Sequence, residues 1–473
     1  MAHTWHIVSP GGEGIAAFAA AEIAAMFSRY LADPVPCGRT AVCGKNNLIF
    51  GTAAFQPAAE ALEKLCLPLP AEPEQFVIRA GTGLLEPGYD AAVICGADAR
   101  GMLYGVETFI RRYADQLPVS FGGDYRSTVF HPFADPCPPF SADEKPGVAK
   151  RGLWTWGHVV YDSRAFLDTM ARQKLNTLIV WNNFAPVNGR EIVRYAHDRG
   201  VELLWGFTWG WGEAMDFSDP ASRNDWKARV LAEYETAYAP LGGDGIYFQT
   251  ATEFAESGEP EEIRAFAASV VEWVNDIAGA LLEKAPALRI EFGLHASSVR
   301  SALDVLAQTD PRVAIIWEDC GDFPFDYHAA ADRARAGPAA GAARMLALRG
   351  PSEQAGFVLK GVSTLFWPTF RKQTGPFVMG EASEERIQTR LREIRPLIRQ
   401  EQAAWLARVP QLAETAKSLA ACRGSVTLLC EDGCYERAQW LPTALFAEAL
   451  WSPDTAPEQL LYRASVCRET VFA

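Results

Sequence analysis

The stretch Asp244-Gly-Ile-Tyr-Phe-Gln-Thr-Ala-Thr-Glu253 decides the reading of this chain. Gly245 to Phe248 suit the body of a buried strand, with an aromatic and a β-branched residue at its centre. Gln249, Thr250, Thr252 and Glu253 then end the apolar run with polar groups and one carboxylate. A strand that stops in this way fits a unit of a parallel barrel, where chemistry gathers just past the C-terminal strand ends. Glu253 is therefore the candidate catalytic acid. The bland alternative is a Glu that caps or solvates the start of the next helix.

Working outward, the same rhythm begins at Arg151. Leu153–Trp156, Thr177–Trp181, Glu202–Phe207, Ile246–Phe248, Leu288–Phe292 and Arg312–Trp317 read as strands, and helical patterns follow the earlier ones at Ser163–Lys174, Gly189–Arg199, Ala221–Tyr238 and Glu261–Lys284. Strand then helix, repeated, implies parallel strands with right-handed crossovers. So many units in one run favour an α/β fold built on a (β/α)8 TIM barrel. Arg344–Leu348, Phe357–Leu359 and Thr364–Trp367 compete for strands seven and eight. Before the barrel, residues 1–125 read as a small α/β accessory domain and the Pro-rich residues 126–150 as a linker. The barrel is expected over 151–380. Residues 381–473 read as a helical C-terminal region, a surface through which a homodimer would form.

Composition sets outer bounds. The chain has 473 residues and a net charge of −14. An acidic chain without a basic run lacks the footprint that nucleic acid and anionic membranes require. The N-terminus has no signal-peptide pattern, and the ten scattered cysteines do not form a disulfide framework. The expectation is a cytoplasmic protein. Cys and His spacings match no metal site, and no GxGxxG or GxxxxGK[ST] loop follows a strand, so neither metal nor cofactor is expected.

The residues that follow each strand define the expected mouth. They are Trp156 and His158, Asn182 and Asn183, Trp209 and Trp211, Gln249 and Glu253, His295, then Trp317, Glu318, Asp319 and Asp322, with Trp367 and Arg371 after the last candidates. Ten of the fourteen tryptophans lie between 154 and 367. Trp205, Trp226 and Trp273 suit the core. The strand-end tryptophans suit sugar faces, while Asn, His and carboxylates bind hydroxyls. Two carboxylates on different strands are what glycoside hydrolysis needs. Glu253 with Asp322 or Asp319 meets that need, and the expected partner is a carbohydrate substrate. A barrel that binds carbohydrate without turning it over is the alternative from another class. A lyase or aldolase would need a strand-end lysine, for which Lys360 is the candidate.

The segment from Asn176-Thr-Leu-Ile-Val-Trp-Asn-Asn183 to Glu253 resembles the xylan α-glucuronidase family of glycoside hydrolases. The likeness rests on Asn182-Asn183, Asp219-Pro220, Trp226-Lys227 and Gln249-Thr-Ala-Thr-Glu253, with Gly258 and Pro260 beyond. Gly96-Ala-Asp-Ala-Arg-Gly-Met-Leu-Tyr-Gly105 resembles the accessory domain that precedes such barrels and hexosaminidase barrels. The resemblance implies that Glu253 is the general acid and, through Cys320-Gly-Asp-Phe323, that Asp322 belongs to the base machinery, with Asp319 a competitor. The chain departs from the family where a uronic carboxylate is held: Gln249 and Trp317 stand in place of lysines, and the strand ending at His295 lacks the arginine. Arg371 and its neighbour Lys372 are the cations left to replace them. Thr252 before Glu253 departs from the Asp-Glu pair that hexosaminidases use to orient a substrate acetamido group. The sequence thus points to a glycosidase not specific for glucuronate.

Overall fold

In this computed structural model the structure describes residues 4–31, 33–116, 137–210, 213, 215–251, 259–295, 302–318, 346–350, 354–359, 374–430, 436, 439–467 and 470–473. An accessory sheet comes first in the chain: β1 Trp5–Val8, β2 Cys37–Gly38, β3 Asn46–Thr52, β4 Phe76–Thr82, β5 Asp90–Gly96 and β6 Phe140–Glu144, in the order β2-β1-β3-β5-β4-β6. Only β4 runs antiparallel to its neighbours β5 and β6. The helices Ile15–Tyr30 and Ala99–Arg112 cover one face and Gln56–Lys64 the other. Because β6 pairs with β4, residues 140–144 belong to this domain and not to a linker.

The barrel strands are β7 Arg151–Trp156, β8 Thr177–Trp181, β9 Glu202–Thr208, β10 Gly245–Gln249, β11 Arg289–His295, β12 Val313–Glu318, β13 Ala355–Leu359 and β14 Val426–Leu429. All pair in parallel and close into one ring, β14 against both β13 and β7. Strand eight therefore lies far beyond residue 380, which corrects the expected barrel boundary. Residues 346–349 are helical, and 364–367 lie outside the described residues. The helices Glu384–Ala407 and Val409–Leu419 are the crossover between β13 and β14, and Leu441–Trp451 is the helix that follows β14. A four-residue strand embedded among long helices gives little period-2 signal, which hid it.

Side-chain parity divides the core. On β10, Ile246 and Phe248 join the cluster under the helices, and Tyr247 joins the barrel interior with Trp154, Ile179, Trp181, Leu204, Ala314, Ile316, Val358 and Leu429. Strand side chains alternate faces, so Gln249 and Glu318 share the inward parity of Tyr247 and Ile316. Below the aromatic layer lies a charged floor. Arg289 pairs with Glu202 at 2.8 Å and with the fully buried Glu291, which also accepts Ser425 Oγ–H at 2.6 Å. The helix Pro260–Lys284 is long and apolar enough by composition to cross a membrane, and half of its apolar window is buried. Val270, Trp273, Val274, Ile277 and Leu281 on that helix enter the barrel core.

The accessory domain is keyed to the N-terminal end of the barrel. Glu74 accepts Arg151 Nη2–H at 2.7 Å and Asn176 Nδ2–H at 2.8 Å. Trp451 stacks on Phe76 (centroids 5.8 Å) and meets Tyr104 edge-on, while its Nε1–H reaches Glu144 at 2.9 Å. The Lys174 ammonium and the Arg151 guanidinium lie 4.6 and 5.0 Å from the same indole.

Candidate active site at the barrel mouth

The C-terminal strand ends bring Trp156, Trp181, Gln249 and Glu318 to one level of the barrel. Trp156 registers with Trp181 and packs edge-on against it at 5.9 Å. Trp154 stacks on Trp181 and meets Tyr247 edge-on. Trp156 is partly exposed and is the upper edge of this aromatic wall. Gly206 makes room for Trp181, since a Cβ there would lie 2.9 Å from that ring.

Glu318 closes β12 and is fully buried. Its Oε1 accepts hydrogen bonds from Tyr247 Oη–H and Gln249 Nε2–H. Tyr247 and Gln249 are on β10, two strands from β12, and the pair spans the intervening β11 because that strand carries Gly293. A Cβ at 293 would lie 2.1 Å from Tyr247 Oη and 2.6 Å from Glu318 Oε1. Tyr247 was not among the expected site residues. Its inward parity with Gln249 was the available signal.

Two expected mouth residues face elsewhere. Trp209 is fully buried, stacks face to face on Phe248 and meets Trp273 edge-on, so it fills the layer between barrel and helices. Trp317 has the outward parity of β12 and packs on that same cluster. Alternation that turns Glu318 inward must turn Trp317 outward. Trp205 and Trp273 are core as expected, and Trp226 packs partly buried against the same core cluster. Asn182 is buried, and its Oδ1 accepts Phe184 N–H at 3.0 Å while its carbonyl accepts Tyr238 Oη–H at 2.8 Å. That side chain shapes the β8 loop. Asn183 beside it is half-buried. His158 is half-buried, and burial, then Arg386 and Arg390, lower its pKa to about 4, so its imidazole is neutral at pH 7. His295 ends β11 in register with Glu318. Glu253, Asp319, Asp322, Trp211, Trp367 and Arg371 lie outside the described residues.

A strap from the loop after β13 crosses to the loops after β7 and β8. Val187 N–H reaches Phe377 O at 2.9 Å, and Asn188 brackets Met379 by donating to its carbonyl and accepting its N–H. Ala382 N–H reaches Tyr161 O at 2.8 Å, and Asp162 bridges Glu381. From below, the buried Glu436 carboxyl accepts Tyr161 N–H at 2.6 Å. Burial raises its pKa to about 7, against the opposing pull of the backbone N–H groups. A folded-state pKa raised above the ordinary 4.5 stabilises fully below pH ~4.5, and that contribution is lost as pH rises through ~7. Thermal melts should therefore lose stability between pH 5 and 8. Glu436→Gln, which keeps the acceptor oxygen, should flatten that slope; an unchanged slope would clear Glu436 of the role.

Among the described residues, no group of three or more His, Cys, Asp or Glu could hold a metal ion. What the mouth offers chemically is an aromatic wall, an amide and a fixed carboxylate at the strand ends. No protein-family model matches the chain, and neither does any curated protein.

Proposed function

We propose that the chain is a glycoside hydrolase that cleaves a small oligosaccharide or glycoside by two-carboxylate acid/base chemistry. The observation that carries this reading is the buried Glu318, held by Tyr247 and Gln249 at the C-terminal mouth of a closed parallel barrel whose β7 ends in the partly exposed Trp156. Barrel enzymes place their chemistry at that end. Aromatic faces beside fixed polar groups suit the alternating apolar and hydroxyl faces of a sugar. In this reading Glu253 is the general acid, which the chain reaches just past Gln249. Asp319 or Asp322, just past Glu318, is the base or nucleophile. The resemblance to xylan α-glucuronidases supports the same roles, while Gln249 in place of a cation speaks for a substrate without a uronic carboxylate.

The test is turnover of aryl glycosides by the wild type and by Glu253→Gln. The variant should lose about 100-fold or more in kcat while still binding substrate. Undiminished turnover would remove Glu253 from the mechanism. Binding by the wild type without any turnover would favour a carbohydrate-binding barrel.

A further inference from the structure

The Glu318 contacts say more than that a carboxylate is buried. Glu318 Oε1 accepts from both of its neighbours, whereas a glutamine amide has one donating and one accepting end. With Glu318 Oε1 receiving Nε2–H, the orientation of the Gln249 amide is dictated by its partner. Tyr247 Oη–H engages the same carboxylate oxygen and fixes where it sits. Gly293 provides the space without which neither contact could form. The donating half of the amide is thus committed. Its carbonyl oxygen receives no hydrogen bond from any described residue, and Gln249, at the end of β10, retains 8 % of its surface.

We infer that Glu318 is a positioning residue for Gln249, turning the amide so that its carbonyl oxygen is the group offered to a ligand in the barrel mouth. At that point the site selects a ligand that donates a hydrogen bond, a hydroxyl or an ammonium, and disfavours one that presents a carboxylate. The inference rests on the sugar-site reading above and narrows it to neutral or cationic sugar rings. The physical basis is the cost of facing one acceptor with another. Both lose water and neither gains a partner, and sites built on such buried polar contacts discriminate strongly.

The experiment compares kcat and KM for the 4-nitrophenyl glycosides of glucose, galactose and xylose with those for the 4-nitrophenyl glucuronide, in both anomeric forms. In the wild type the best neutral substrate should exceed the glucuronide by about 100-fold in kcat/KM. Glu318→Gln replaces the pure acceptor by an amide that can meet either end of Gln249. It should narrow that ratio by about tenfold, mainly through KM. Tyr247→Phe keeps the Glu318 contact to the amide and should move the ratio in the same direction by less, which provides a second reading if Glu318→Gln fails to fold. Wild-type preference for the glucuronide overturns the inference, as does a ratio that neither variant moves. If no glycoside is turned over or quenches the tryptophan fluorescence, the sugar-site reading itself falls and takes the inference with it.

Discussion

Glu74→Ala should lower the free energy of unfolding by about 3–5 kcal/mol, the usual cost of removing one partner from a buried ion pair. The Arg151 side chain is fully buried and would keep its charge with its carboxylate gone. Asn176 Nδ2, at 2.8 Å, would lose the same acceptor, and the Arg100 contact at 3.5 Å would go with it. Glu74 also adopts φ 61°, in the left-handed region that a non-glycine residue occupies at a cost. The chain accepts that backbone cost to aim one carboxylate from the accessory domain at the starts of β7 and β8. Glu74→Gly relieves the backbone and still loses the pair, so it should be destabilising but less so than Glu74→Ala. Chemical denaturation of the three proteins checks both statements. A loss below about 1 kcal/mol for Glu74→Ala would mean that the pair is worth no more than a surface salt bridge. The neighbouring Trp451 junction implies a single cooperative transition, with accessory domain and barrel unfolding together.

Gly293→Ala should act on stability and activity at once. Its methyl group would fall 2.1 Å from Tyr247 Oη and 2.6 Å from Glu318 Oε1, and both side chains are fully buried. Neither is the free end of a flexible group, so the pair must separate. Overpacking of this kind costs about 1–3 kcal/mol, and a buried acceptor deprived of its donor costs a similar amount, about 1–3 kcal/mol. The distinguishing measurement is a double-mutant cycle with Tyr247→Phe. Removing the hydroxyl removes the atom nearest the new methyl, so Gly293→Ala should cost clearly less when combined with Tyr247→Phe than in the wild type. Equal costs in both backgrounds would show that the glycine serves some other contact. On the proposed function, kcat/KM should follow the same non-additive pattern.

Much of this architecture was legible in the chain. Strand and helix alternation from Arg151 onward announced a parallel barrel, and the strand-end rule placed Gln249 and Glu318 at its mouth. Parity of the same strands, read one step further, would have turned Trp317 outward and added Tyr247 to the site. Trp209 was harder. It follows β9 among glycines, and only its stacking on Phe248 reveals that it is core. Strand eight was hidden because four residues, Val426–Leu429, cannot announce a period against the helical segments around them. Their β identity comes from the gap they fill between β13 and β7.

Residue order was therefore enough for the class of fold, the end of the barrel where polar chemistry collects, and the residue types available there. These follow from local periodicity and from the direction of parallel strands, both properties of short segments. Three features waited on the folded chain: Glu318 meeting Tyr247 and Gln249 across a glycine, Glu74 joining accessory domain to barrel, and the ring closing at Val426. Each of these depends on contacts between segments distant in sequence. Their geometry is set by packing and closure, for which no local pattern carries a signal.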